Sequence, residues 1–187
     1  MKNSLKIIIG IVIAIALIVL PLIGTYNNLV TMNENVDAQW AMVESKLQRR
    51  FDLIPNLVES VKGIMGQEQE VFGNIADARA RMAGAQTTEE RVEASNALEG
   101  ALGRLLVVME NYPQLRSAEN VTRLMDELAG TENRISVERD RYNTVVSEYN
   151  KAIKRFPRNI IAGAMGFDAK PYFEATAGAE NAPKVQF

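Results

Sequence analysis

The chain has 187 residues, 21 basic and 23 acidic side chains, a formal net charge of −2, no histidine and no cysteine. A nearly balanced charge excludes the basic field that nucleic-acid binding needs, and zero cysteines exclude a disulfide framework and a thiol nucleophile. Zero histidines remove the commonest general base, the commonest transition-metal ligand and the usual physiological pH switch.

Residues 7–24 (IIIGIVIAIALIVLPLIG) form an uncharged apolar run of 18 residues. Roughly 17 to 25 such residues cover the hydrocarbon core of a bilayer, so the run predicts a single transmembrane helix. The rival is a cleaved secretory signal, because Lys2 and Lys6 precede the run as an n-region would. The flank favours a retained anchor: candidate cleavage sites place Leu22 or Ile23 where a small residue is wanted, and no cysteine is present for lipid attachment. The next basic residue after Lys6 is Lys46, so the positive-inside rule predicts a cytoplasmic amino terminus and an extracytoplasmic body. About 160 residues remain, enough for one domain with its own core.

Between residues 33 and 156 prolines occur only at 55 and 113, and apolar residues recur at three- and four-residue steps, which predicts an all-α body. A first seam runs Val36, Trp40, Val43, Leu47, Arg50, Ile54, Leu57, Val61, Ile64, Glu68, Val71, Ile75, Ala78, Met82 without a register slip. Pro55 cannot donate to the preceding turn, so a kink is expected there, with Gly63 and Gly66 as further bends. Residues 84–88 read as a turn, with Thr87 and Glu90 as a capping box for a second helix over 89–111. Its stripe is Ser95, Leu98, Leu102, Leu105, Met109 and Tyr112, and it ends at Tyr112-Pro113.

Ser117 is the expected N-cap of a third helix, whose seam runs Val121, Met125, Leu128, Glu132, Ile135, Arg139, Tyr142, Val146, Tyr149, Ile153, Phe156 and stops at Pro157. Past Gly163 glycine, alanine and proline accumulate, the last dozen residues read as disordered, and Phe167, Tyr172 and Phe173 are expected anchors onto the body. The organisation predicted is therefore a cytoplasmic tip and anchor over 1–24, a helical body over 25–162 and a tail over 163–187. Short connections favour an elongated antiparallel up-down bundle of three to four helices, although the same heptads suit a coiled coil completed by another chain.

Four charges stand on the seams where leucine would be ordinary: Arg50, Glu68, Glu132 and Arg139. Either the seam drifts and each charge reaches water along its aliphatic stem, or interhelical ion pairs fix the register. Beside Pro55, Arg49, Arg50, Asp52 and Asn56 form either local compensation for the proline or a polar docking patch. Phe51, Phe72, Leu106 and Val108 lie off the seams, as members of a broader core stripe or of a partner surface.

The segment 49–58 (RRFDLIPNLV) with Val61-Lys62-Gly63 resembles the signature of the LemA family of bacterial membrane-anchored helical proteins. The resemblance extends over Tyr26-Asn27, Trp40, Arg79, Tyr112-Pro113, Glu132-Asn133-Arg134, Arg141-Tyr142-Asn143, Tyr149-Asn150, Phe156-Pro157, Gly166-Phe167 and Tyr172-Phe173, nearly the whole chain. It departs at Ile64-Met65-Gly66-Gln67, where relatives commonly carry Tyr-Ala and a histidine before the position of Glu68. The resemblance implies a single-pass anchor, an antiparallel helical bundle and no established catalysis, and it points to partners among membrane and envelope proteins.

No catalytic, cofactor or metal site is expected. A di-metal carboxylate bundle needs Glu-x-x-His pairs, which this chain cannot supply. The acidic residues at 68, 70, 89 and 90 lack the spacing of a calcium loop and read as solvated faces. Ser147 and Lys151 share a helix face but have no glycine elbow or oxyanion loop beside them. The expected function is a non-enzymatic membrane-tethered scaffold of the bacterial cell envelope, in the cytoplasmic (inner) membrane, with membrane or envelope proteins as partners and no nucleic acid. A homo-oligomeric structural or signalling stalk is the first alternative, and an enzyme with a carboxylate-only metal site the second.

Overall fold

The computed structural model describes residues 2–174, and every regular element among them is a helix. The expected disorder of the last dozen residues lies outside that range. Six helices follow in order: α1 (Lys2–Lys62), α2 (Gln69–Gly84), α3 (Thr88–Met109), α4 (Pro113–Arg116), α5 (Glu119–Lys154) and α6 (Arg158–Met165). By contacts the chain divides into two units, one of Met1–Trp40 with Tyr142–Lys170, the other of Ala41–Arg141 with Pro171–Phe187.

The first unit carries the apolar run, whose described side chains are almost all exposed, as in a helix that has no protein to cover it. It is the one helix among the described residues long and apolar enough to cross a membrane. Leu29, Val36, Tyr142, Val146, Tyr149, Ile153, Ile161 and Ala162 are buried in this unit. Trp40 lies against Tyr142 with ring centroids 5.3 Å apart, and Tyr26 meets Phe167 edge-on at 5.8 Å, so one of the three expected tail anchors is in place here. The segment after α6 is tied down by backbone satisfaction: the Asn150 amide donates to the Lys170 carbonyl and accepts from the Lys170 N–H, both at 2.9 Å. The Lys170 ammonium adds a 3.0 Å ion pair with Asp37.

The second unit is built around Ile54, Leu57, Val61, Met65, Ile75, Ala78, Leu98, Ala101, Leu105, Leu115 and Val121. These are seam residues apart from Ala101, which neighbours Leu102 of the stripe, and from the residues of two connections. The first seam does not continue unbroken to Met82, because α1 stops at Lys62 and a turn occupies residues 63–68. Gly63 costs about 1 kcal/mol in a helix interior, and the last α-type bond closes from the Met65 N–H to the Val61 carbonyl at 2.9 Å. That turn exposes Ile64 and buries Met65 in its place. The capping box forms as expected, with Thr87 accepting from the Glu90 N–H and Glu90 accepting from the Gln86 and Thr87 N–H groups. Those two backbone donors hold the Glu90 carboxyl below the usual carboxylate range.

The second exception is the α3–α5 connection. Tyr112, at φ −120° and ψ 74°, leaves the helical region ahead of Pro113, which opens the one-turn helix α4 at the position where a missing N–H costs nothing. Ser117 is therefore the C-cap of α4 and not the N-cap of α5, and the Ala118 carbonyl starts α5 by accepting from Val121 and Thr122. At the far end, α5 stops at Lys154 before its seam reaches Phe156, which points to solvent at 80% exposure. The short helix α6, closed by Gly166 at a left-handed φ of 74°, has no counterpart in the sequence reading.

Candidate functional site

Arg50 is 2% exposed in the second unit, on a turn of α1 where the seam would otherwise require an aliphatic side chain. An unpaired buried guanidinium would cost several kcal/mol, so the neighbouring helices must supply acceptors. Nη1 donates to Glu132 Oε2 of α5 at 2.6 Å, while Nη2 donates to the hydroxyl of Ser95 on α3 and, at 3.3 Å, to its carbonyl. The other oxygen of Glu132 lies 3.7 Å from Arg139 Nη2, and the Arg139 guanidinium sits 5.0 Å over the ring of Phe173. Three of the four seam charges thus form one network with Ser95, and the drift reading does not hold for Arg50. The fourth, Glu68, accepts a 2.9 Å bond from the Tyr112 hydroxyl, which holds that phenol above its usual range.

The four proposed docking residues divide between core and surface. Arg50 is withdrawn into the core, leaving Arg49, Asp52 and Asn56 at the surface. Arg49 reaches Glu127 at 3.4 Å with both side chains about half exposed, and Asp52 accepts from the Gln48 amide at 2.8 Å. Asn56 contributes its carbonyl to the Ser60 hydroxyl at 2.7 Å. Of the off-seam residues, Phe51 carries the Arg79 guanidinium 4.5 Å from its ring centroid, Phe72 and Val108 pack against the core, and Leu106 is exposed.

A cleft of about 250 Å³ opens beside the network, lined by Leu57, Leu102, Leu106, Met125 and Leu128 with Arg50 and Glu132 at one side. Arg50 Nε is the guanidinium nitrogen that is buried without a partner. Ser95 is the member that sequence reasoning missed as a functional contact. Its signal was available: a small polar residue at the head of an otherwise apolar stripe. Chemically the arrangement is a set of paired donors and acceptors with Arg50 Nε left over, suited to fixing helix register. Among the described residues, no three acidic side chains converge as metal ligands would.

An all-helical chain with one apolar amino-terminal helix and a charge network that joins its body helices defines a class of membrane-associated helical proteins. The chain belongs to the LemA family, whose model matches residues 39–187 and so includes every member of the network. Similar proteins include Magnetosome protein MamQ 2 of Paramagnetospirillum magneticum (strain ATCC 700264 / AMB-1), 29% identical over 189 residues that cover 87% of this chain and 70% of the relative. Magnetosome protein MamQ of Magnetospirillum gryphiswaldense is 29% identical over 194 residues, 89% of this chain and 71% of its own. Protein LemA of Metamycoplasma hominis is 20% identical over 155 residues, 82% of this chain and 71% of its own.

Proposed function

We propose that this chain is a non-enzymatic, single-pass scaffold of the bacterial cell envelope, with its amino terminus cytoplasmic and its helical body held outside the inner membrane. The observation that carries the reading is the exposed apolar run on α1: isoleucines and leucines that none of the described residues covers need another apolar phase. The same helix continues to Lys62 and takes Arg50 into the buried network, which suits a tether whose body has a set register. In the second unit three residues join α2 to α3, a connection short enough to favour an antiparallel pair and, with the heptads, bundle packing of the coiled-coil type. The names of its relatives describe no reaction, in keeping with a structural role.

Crosslinking in living cells, followed by purification from membranes, tests the scaffold reading when the full chain is compared with one lacking residues 1–24. Recovery of a defined envelope protein with the anchored form alone is the expected result. Recovery of self-crosslinked chains alone would replace the scaffold by a homo-oligomeric structural protein.

A further inference from the structure

The corner between α5 and α6 combines two properties that solvent does not reward together. Phe156 is 80% exposed, and Ile160 and Met165 are each 62% exposed, all within ten residues of chain. Around them stand Lys151, Lys154, Arg155 and Arg158, with no acidic residue between Tyr149 and Phe167. None of these four cations makes an ion pair among the described residues. The corner belongs to the first unit, which also holds the apolar run.

Its position relative to that run is set by the aromatic contact. Tyr26 lies two residues beyond Gly24, so about 3 Å of helix rise past the end of the apolar segment, at the level where aromatic rings favour a membrane interface. Phe167, directly after the C-cap of α6, touches Tyr26 at 5.8 Å between centroids, and its N–H donates to the Ala162 carbonyl of α6 at 3.0 Å. α6 is about 12 Å long at 1.5 Å per residue, so with Phe167 against Tyr26 its exposed side chains lie within one short helix length of the contact.

We propose that this corner is a second, peripheral membrane contact, in which Phe156, Ile160 and Met165 enter the interface of an anionic bilayer while Lys154, Arg155 and Arg158 meet headgroup phosphates. Apolar side chains flanked by arginine and lysine are the composition of segments that lie in the interface plane of anionic membranes. A symmetric contact with a second copy is disfavoured, because a two-fold interface would set the same unpaired cations against themselves. The contact also disposes of the exposed Phe156, which the helical body leaves uncovered.

The inference rests on the span assigned above, and the absence of native cysteine lets both be tested on the full chain. A nitroxide is placed at Ile160→Cys, and in a separate sample at Ile15→Cys, and each protein is reconstituted into vesicles of phosphatidylcholine with or without phosphatidylglycerol. With phosphatidylglycerol present, the label at 160 is expected to collide with dissolved oxygen in preference to a water-soluble nickel chelate. That preference should reverse in phosphatidylcholine alone, in the K154Q/R155Q/R158Q background, and at about 1 M salt, where the Debye length falls to about 3 Å. A label at 160 that favours nickel in anionic vesicles, or that is shielded from both reagents by protein, would overturn the membrane contact, and one that favours oxygen regardless of charge and salt would overturn the part given to the cations and the anionic headgroups. Oxygen preference at 15 in those same samples would leave the span standing, whereas nickel preference at 15 would remove the span and the contact together. Helical circular dichroism of each variant establishes that the fold is intact.

Discussion

Arg50 and Arg49 are adjacent cations with opposite fates, and their energetics should differ accordingly. Arg50→Ala removes the buried guanidinium and its packing and leaves Ser95 without its donor, while the part-exposed Glu132 keeps Arg139 3.7 Å away, and the loss should cost about 3–5 kcal/mol. For a chain of this size about 2–4 °C of Tm accompanies each kcal/mol, so a thermal melt should fall by roughly 6–20 °C. Arg49→Ala breaks an ion pair whose partners are 53% and 46% exposed and should cost less than about 1 kcal/mol. Nothing in the local sequence separates the two. The heptad position marks Arg50 as inward, but whether an inward guanidinium is solvated or paired depends on Glu132 and Ser95, which lie 82 and 45 residues away.

Helix boundaries show the same division at the next scale. The Thr87/Glu90 capping box was readable because both partners lie within one turn of chain, so local spacing decides the bond. Its acid sensitivity follows from the depressed Glu90 carboxyl. Stabilisation is present above the ordinary carboxylate pKa and is lost as pH falls through the lower folded value. Glu90→Gln keeps an amide oxygen for the cap but does not titrate, so in urea titrations its stability deficit against the parent at neutral pH should shrink as pH falls below the ordinary carboxylate pKa and through the lower folded value. The end of α1 was not readable, since the register past Gly63 depends on which of two adjacent side chains finds the core. Met65→Ala should cost about 2–5 kcal/mol as a core truncation, while Ile64→Ala should stay within about 0.5 kcal/mol. Equal losses in chemical denaturation would contradict the turn at 63–68. The one-turn α4 and the eight-residue α6 escaped notice because neither is long enough to display a helical period.

For the molecule as a whole, the exposed apolar run is the feature on which the proposed location rests. Arginine at the centre of a span costs about 2.5–3.5 kcal/mol by insertion scales, so the pair Ile15→Arg and Leu17→Arg should move the chain from the carbonate-resistant membrane fraction to the soluble one. Retention in the membrane despite both substitutions would argue that the apolar run is not what holds it there. Composition and period alone determined the all-helical class, the apolar run and most of the buried positions, because hydrophobic burial and helical spacing are properties of short stretches of chain, while the family resemblance was carried by the particular residues of 49–58 and their companions. Tertiary structure alone decided that Arg50 is neutralised by Glu132 and Ser95, that Asn150 clasps Lys170, and that Phe167 brings the basic α5–α6 corner beside Tyr26. Each of those contacts joins residues far apart in sequence, and pairing across such distances is settled by how helices pack, which no local pattern records.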